Sequence, residues 1–254
     1  MIDIHNHILP ELDDGSIDLE HSIHMARQAV EQGIRIVIAT PHHQNGRYSN
    51  EAALIEQQVN LLQEGLDQRE IPLHIYSGQE VRVYNNLIED IELKKICTLN
   101  NSRYLLLEFP SNRIPSGIHE LLYELQLMNL RPIIAHPERN REIADNPLKL
   151  LELVQLGALS QVTAHSIIGV FGKQIQALSI QLCKHHLAHF IASDAHNNHN
   201  RAFKLAVAYQ QLQEKVGQDI VNSFQNHANS IIHDLPIENQ SPVWTKPKWF
   251  QFWK

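Results

Sequence analysis

Histidines and carboxylates with the spacing of metal ligands begin this chain. His5 and His7 are two residues apart, so an extended segment would present both imidazoles on one face, where they could hold one ion. Asp13 and Asp14 follow in a turn and offer a further carboxylate. Mixed imidazole and carboxylate ligands favour Mn, Fe or Zn over Ca. Because an isolated His-x-His pair is a weak motif, its meaning depends on the elements that position it.

Seven short β-rich runs alternate with segments of helical length. The runs are residues 2–4, 34–39, 73–77, 104–109, 131–135, 159–162 and 189–192. The segments between them include 19–32, 51–69, 118–128, 147–156 and 173–185, and two or three further helices are predicted in 201–233. Strand followed by helix, repeated in this way, is typical of parallel strands with right-handed crossovers. The pattern fits a doubly wound sheet and a closed barrel equally well.

Ligand-type side chains follow six of the seven predicted strands at their carboxyl ends. In chain order they are His5 and His7, His42, Glu80, Glu108, His136, and Asp194 with His196. Active sites of parallel barrels and sheets are built at these ends, so we expect the side chains to converge. The resulting acidic cluster would need bound cations, and eight or nine ligands could hold two or three ions. Other histidines, including His119 and His227, are interpreted as solvated on helix faces.

Composition indicates an ordinary globular protein. The 254 residues are 43% hydrophobic and 19% charged, and the formal net charge of −7 argues against nucleic acid as the main partner. No apolar run is long enough to cross a bilayer, and the N-terminus lacks the pattern of a secretory signal. Two cysteines argue against a disulfide-stapled fold. We therefore expect a cytoplasmic location.

The last residues differ in character from the rest of the chain. Pro236, Pro242 and Pro247 interrupt a polar stretch that ends in KPKWFQFWK. We expect one catalytic domain over residues 1–235 and a tail over 236–254. The tail's tryptophans and lysines could dock weakly on a membrane or on a partner protein, and the alternative is a disordered terminus.

The motifs together resemble the polymerase-and-histidinol-phosphatase (PHP) superfamily over about residues 1–233. They are MIDIHNHILPELDDG at the start, ATPHH at 39–43, GQEVR at 78–82, LEFP at 107–110, HPERNR at 136–141 and SDAH at 193–196. More narrowly, they are similar to the bacterial metal-dependent tyrosine-protein phosphatases linked to capsule and exopolysaccharide synthesis. The resemblance implies a distorted (β/α)7 TIM-like barrel with its active site at the carboxyl ends of the strands.

The resemblance also implies the site and its cofactor. It predicts a trinuclear centre, usually described with Mn2+, with Fe or Zn as alternatives. The implied metal positions are His5, His7, Asp14, His42, Glu80, Glu108, His136, Asp194 and His196, with Asp14 rather than Asp13 as the family match. Arg139 and Arg201 resemble its phosphate-binding arginines, and guanidinium groups suit the clamping of phosphoryl oxygens.

The activity that the resemblance implies is hydrolysis of phosphotyrosine by a metal-activated hydroxide, on a bacterial tyrosine kinase that controls polysaccharide synthesis. Metal binding lowers the pKa of water from about 15.7 toward roughly 7, which supplies that nucleophile. Histidinol-phosphate phosphatase, from the same superfamily, is the alternative enzyme. A catalytically silent metal-bound scaffold is the alternative from another class.

One motif points to different chemistry. The segment Cys97–Arg103 has the C-x5-R spacing of cysteine-dependent tyrosine phosphatases. In those enzymes the loop lies between a strand and a following helix, whose N-terminus binds the phosphate. Here a predicted helix precedes the loop and a predicted strand follows it, so we interpret Cys97 as a buried apolar residue.

Overall fold

The fold consists of parallel strands and the helices that connect them. The computed structural model describes residues 1–238 and 241–244. Its strands are β1 (Ile2–Asn6), β2 (Ile36–Ala39), β3 (His42–His43), β4 (His74–Ser77), β5 (Glu80–Arg82), β6 (Tyr104–Glu108), β7 (Arg131–Ala135), β8 (Leu159–Thr163) and β9 (Phe190–Ala192). All the pairings between them are parallel. The predicted α/β class and each of the seven predicted strands are thereby confirmed.

Helices occupy each of the segments that periodicity predicted, and two short helices, at 141–145 and 164–167, were not predicted. The helices are α1 (Leu19–Glu31), α2 (Ala52–Asp67), α3 (Leu87–Glu92), α4 (Ile118–Leu127), α5 (Arg141–Asp145), α6 (Leu148–Gln155), α7 (Ala164–Ile167), α8 (Lys173–Lys184), α9 (Leu205–Lys215) and α10 (Gln218–Ile232). Helix α1 begins where the Asp18 side chain accepts a hydrogen bond from the His21 N–H, and it ends before Gly33, whose φ of +80° suits glycine. Every residue of β6 and β8 is buried, as expected for strands covered on both faces.

The strands form two sheets in the described residues. One has the order β1-β2-β4, and the other has the order β3-β5-β6-β7-β8-β9. Strands β3 and β5 are short continuations of β2 and β4 after a break in each, and they carry His42 and Glu80 at their first positions. An isolated parallel bridge between Asn6 and Ala195 connects β1 with the segment after β9. The first and last strands therefore lie side by side.

The amino ends of the strands rest on the C-terminal part of the chain. Ile231 of α10 and Ile237 beyond it are buried in one apolar cluster with Tyr104 and Phe190. The interpretation of His227 as solvated is wrong, because its Nδ1 lies 2.9 Å from the His189 carbonyl oxygen and its ring is half-buried beside Phe190. A polar residue can be buried on a helix face where a backbone group is available to pair with it.

Part of the predicted tail lies within the described residues. Ile237, just past the predicted boundary, is buried, and Trp244 packs its ring 5.2 Å from that of His185. Residues 245–254, with Trp249, Trp253 and the lysines expected to dock, lie outside the described residues. None of the described helices is long and apolar enough to span a membrane.

Candidate metal centre

The structure brings the predicted ligands together at the carboxyl ends of the strands. Glu80 is at the centre of the cluster. One of its oxygens, Oε2, lies 3.3 Å from His5 Nε2, 3.4 Å from His7 Nε2 and 2.9 Å from His42 Nδ1. Its other oxygen lies 2.7 Å from His136 Nε2. Four histidines from three separate strand ends thus surround one fully buried carboxylate.

The remaining predicted residues border this cluster. Asp194 Oδ1 lies 3.4 Å from His7 Nε2 and 3.6 Å from His196 Nδ1. Asp14, whose side chain is 43% exposed, approaches His42 and His196 from the solvent side at 3.5 and 3.6 Å. Three sets within the cluster have ligand atoms close enough to share an ion: His7, Asp14, His42 and His196; His5, His7 and Glu80; and His42, Glu80 and Glu108.

The buried atoms of this cluster suit a bound cation. His5 Nε2, His7 Nε2, His196 Nε2 and Glu80 Oε2 are buried and make no hydrogen bond. A buried polar atom without a partner costs about 1–3 kcal/mol, and here several such atoms face one another. Imidazole nitrogen and carboxylate oxygen are the donors that Mn, Fe and Zn accept. The donor set therefore fits divalent metal, and a coordinated ion would supply the missing partners.

A second set of residues orients the ligands, and the sequence did not predict this role for them. The side chain of Asp13 is fully buried, with Oδ2 2.6 Å from His7 Nδ1, and it accepts a hydrogen bond from the His42 N–H. Gln161 Oε1 lies 2.8 Å from His5 Nδ1. Such contacts fix which imidazole nitrogen faces the metal. The pair of adjacent aspartates in the LDDG turn was a signal for Asp13, whereas nothing in the local sequence marked Gln161.

Arg82 orients the acidic ligand on the next strand. Its Nε and Nη2 donate to the two carboxylate oxygens of Glu108, both at 2.9 Å. Strands β5 and β6 pair with Arg82 opposite Glu108, so the contact follows from register. Period-2 alternation from Glu80 was the available signal, because residues i and i+2 of a strand share a face.

Charges in the cluster shift the pKa values of its members in opposite directions. Burial opposes ionisation of Glu80, yet His42 and His5 lower the pKa of Glu80 well below its usual range. Burial and the neighbouring charge of Glu80 raise the pKa of Glu108 to about 7. Burial and the Arg139 guanidinium lower the pKa of His136 to about 4, which keeps its imidazole neutral and able to ligate.

Two candidate ligands have left-handed backbone conformations. His136 has a φ of +34° and Asp194 a φ of +54°, which are uncommon for residues with a Cβ. Asp194 is held there by its N–H, which donates to the His5 carbonyl at 2.8 Å. Strained backbone of this kind is typical of functional sites, where surrounding contacts fix it.

A cavity of about 280 Å³ opens beside the cluster, and its lining includes both predicted arginines. Arg139 and Arg201 donate through Nη2 to the same oxygen of Asp194, at 2.6 and 3.1 Å. Five candidate ligands line the cavity with them: His42, Glu80, Glu108, His136 and Asp194. Positive guanidinium groups and the cluster thus face a space large enough for a phosphate group.

Other candidates from the sequence lie elsewhere. Cys97 is buried in the apolar core, where burial raises the pKa of its thiol to about 11, and Arg103 pairs with Asp234 at the amino end of β6. The two residues do not form a phosphate loop, because Arg103 is directed away from the metal centre. His43, the neighbour of the predicted ligand His42, points away from the cluster, with Nδ1 2.8 Å from the Asn50 carbonyl.

Comparison with known proteins agrees with this geometry. The pattern of the family "Capsular polysaccharide synthesis, CpsB/CapC" matches residues 1–233. The chain belongs to the CpsB/CapC family. It is 45% identical over 242 residues to the tyrosine-protein phosphatase YwqE of Bacillus subtilis, with 95% of each chain covered. It is 29% identical over 238 residues to the tyrosine-protein phosphatase CpsB of Streptococcus agalactiae, covering 91% of this chain and 98% of that one.

A solved structure of the CpsB/CapC family matches the whole architecture. It comes from work on YwqE from Bacillus subtilis and CpsB from Streptococcus pneumoniae, described as "unique metal-dependent tyrosine phosphatases". The TM-score is 0.94 at 44% identity, with 97% of this chain and 100% of that chain covered. The predicted resemblance to capsule-type phosphatases is confirmed.

Proposed function

We propose that this chain is a metal-dependent protein-tyrosine phosphatase. The observation that carries the proposal is the cluster of buried histidine nitrogens and carboxylate oxygens without hydrogen bonds, beside two arginines in one cavity. Metal held there would polarise phosphoryl oxygens and lower the pKa of bound water, so that hydroxide is available near neutral pH. The family relatives, named as tyrosine phosphatases, support this activity over the alternatives.

Seven of the nine predicted ligands belong to the three overlapping sets of the cluster, and three ions are therefore proposed. The other two, His136 and Asp194, border the sets through Glu80 and His7. Mn2+ is the proposed metal, and Fe or Zn would suit the same donors. Four carboxylates opposed by three divalent ions leave the cavity net positive, which attracts a phosphate dianion. Asp13, Gln161 and Arg82 would hold their ligands in the required orientation.

Arg139 and Arg201 are proposed to bind the phosphoryl oxygens. Both line the cavity, and both have a guanidinium nitrogen on Asp194 Oδ2. Planar guanidinium donors are suited to the charge that spreads over equatorial oxygens during phosphoryl transfer. The phenolate leaving group has a pKa of about 10, so it depends less on a general acid than an alkoxide does.

The remaining finer predictions are proposals of the same kind. The parallel strands, with β1 beside the end of β9, are consistent with a distorted (β/α)7 barrel. A capsule-regulating tyrosine kinase is the proposed substrate, and docking through the residues after 244 is proposed to assist it. The domain boundary at 235 and the cytoplasmic location stay predictions.

The direct test compares two substrates with defined metals. The purified protein is stripped with a strong chelator, reloaded with Mn2+, Fe2+ or Zn2+, and assayed on a phosphotyrosine peptide and on histidinol phosphate. We expect no turnover after stripping, restoration by metal, and a kcat/KM that favours the peptide. Preference for histidinol phosphate would assign the alternative enzyme, and full activity after verified metal removal would overturn the metal mechanism.

A further inference from the structure

A phenylalanine stands beside the proposed phosphate clamp. The guanidinium carbon of Arg139 lies 5.4 Å from the centre of the Phe171 ring. A cation within about 6 Å of a ring centroid is attracted by the ring's quadrupole, more strongly where water is excluded. Arg139 is largely buried, with a quarter of its side chain exposed. The ring and the guanidinium therefore form a supported cation–π pair at the cavity.

The turn that carries Phe171 is well fixed. It joins α7 to α8, and Gly169 and Gly172 on either side of Phe171 have φ values of +85° and +98°. The Gly172 N–H donates to the Gly169 carbonyl at 3.1 Å, which closes the turn. On another side the ring packs 6.0 Å from that of buried His165. Phe171 thus has a defined place from which to hold its neighbour.

Arg139 has few other contacts that would fix it. A guanidinium group has five N–H donors. Among the described residues, the side chain of Arg139 makes one hydrogen bond, from Nη2 to Asp194, and its Nε is buried without a partner. Arg139 lines the cavity, so the remaining hydrogens on its two Nη atoms are available to phosphoryl oxygens there. Without a second support, the group could rotate about its bond to Asp194.

We propose that Phe171 is a positioning residue for phosphate binding: its ring holds the Arg139 guanidinium flat and in place for the phosphoryl group. The inference rests on the proposed function, in which Arg139 binds phosphate. Arg201 provides an internal contrast, because it donates to the same Asp194 oxygen and no aromatic ring lies over it among the described residues. Removing the ring should therefore affect Arg139 and leave Arg201 as it is.

The test is a set of ring replacements in the metal-loaded full chain. Phe171→Leu keeps apolar bulk and removes the π face, whereas Phe171→Tyr keeps that face. We expect Phe171→Leu to lower kcat/KM for p-nitrophenyl phosphate about five- to thirtyfold, from the usual size of a partly desolvated cation–π contact. Inhibition by inorganic phosphate should weaken by a similar factor. Phe171→Tyr should stay within about twofold of wild type.

Double variants distinguish a positioning role of Phe171 from a general effect of its replacement on the structure. In an Arg139→Ala background, Phe171→Leu should have no further effect, whereas in an Arg201→Ala background it should keep its full effect. Val170→Ala, which trims an exposed residue of the same turn, is the matched control and should leave both kinetic constants and phosphate inhibition unchanged. Metal content and thermal midpoint are measured for every variant, and Phe171→Met replaces Phe171→Leu if the latter does not fold.

The outcomes distinguish failure of the Phe171 proposal from failure of the proposed phosphate clamp. If Arg139→Ala is impaired and Phe171→Leu is not, Phe171 has no positioning role and the clamp stands. If Phe171→Leu acts equally in both arginine backgrounds, its effect is structural and the proposal is wrong. If Arg139→Ala itself retains wild-type kinetics and phosphate inhibition, the clamp in the proposed function fails first.

Discussion

The polar groups around Asp234, at the amino ends of the strands, differ in their pairing from those of the metal centre at the carboxyl ends. At the amino ends, Tyr104 donates to the Leu235 carbonyl at 2.6 Å and Arg103 pairs with Asp234, so polar atoms are joined to the C-terminal segment. At the carboxyl ends, buried atoms such as His5 Nε2 and His196 Nε2 have no hydrogen bond and face carboxylates. Polar groups that are hydrogen-bonded to each other stabilise the fold, whereas polar groups that converge without hydrogen bonds can bind a ligand. The same strands thus serve stability at one end and chemistry at the other.

The largest expected effect is loss of a ligand at the carboxyl ends. His136→Ala or Glu108→Ala should abolish phosphatase activity at any metal concentration, because each removes a donor from the cluster around Glu80. The metal-free variants should unfold at about the same temperature as metal-free wild type, since these side chains contribute little to the apolar core. Activity assays, metal analysis and thermal unfolding check this. A fully active His136→Ala enzyme would contradict the proposed centre.

The next effect concerns the arginines of the cavity. Arg139→Ala should lower kcat/KM about 10²-fold, or roughly 2.7 kcal/mol of lost transition-state stabilisation, and Arg201→Ala should act in the same direction. Metal content should not change, because neither guanidinium is a metal donor. Steady-state kinetics with metal analysis measures both. If either variant loses metal or unfolds, that arginine supports the structure instead of binding substrate.

How far the sequence predicts this site depends on the range of the contact involved. Eight of the nine proposed ligands were predictable because they lie at strand ends, and strand ends converge. Asp14 lies in a turn, and only the family resemblance favoured it over Asp13. Arg82 on Glu108 depends on the register of two strands, and Gln161 on His5 depends on contact between residues 156 positions apart. Phe171 meets Arg139 through a turn whose direction is set by two glycines. These contacts join residues that are distant in the sequence, so they can be identified from the three-dimensional fold and not from local sequence patterns.

The fold shows the same division. Strand and helix positions follow from periodicity, and the predicted segments are confirmed within a few residues. Strands β3 and β5 were not predicted, because two or three residues carry no detectable alternation. The burial of His227 was missed for a related reason, since its partner is the His189 carbonyl on a strand that the helix meets only after folding.

A smaller effect is expected at the amino ends, where His189 is buried and neutral. Burial and then His227 lower the pKa of His189 to about 3, against about 6.5 in an unfolded chain. Between pH 6.5 and 3 the histidine is therefore protonated in the unfolded state and neutral in the folded state. Its contribution to stability is complete above pH 6.5 and declines as the pH falls toward 3. At pH 5.5 the loss is about 1.4 kcal/mol.

His189→Gln isolates that contribution. The free energy of unfolding, measured with denaturant at pH 7.5 and 5.5, should fall less for the variant than for wild type by about that amount. Wild type and variant are both measured without metal, so that protonation of the metal-centre side chains affects the two proteins equally. His119→Gln, at an exposed position on α4, is the control for replacing a histidine by glutamine elsewhere in the chain. An equal pH dependence for wild type and His189→Gln would mean that His189 is protonated in the folded protein.

The smallest effect on turnover is expected at Cys97, although its spacing to Arg103 imitates a cysteine-dependent phosphatase. Its thiol is buried with a pKa raised to about 11, so almost no thiolate exists near neutral pH, and Arg103 is engaged by Asp234. Cys97→Ser should therefore keep kcat and KM close to wild type, with a modest loss of stability because a hydroxyl replaces an apolar group in the core. Rapid quench with a labelled aryl phosphate should trap no phosphocysteine. A well-folded, metal-loaded Cys97→Ser protein without activity would show that the thiol, and not the carboxyl-end cluster, supplies the nucleophile.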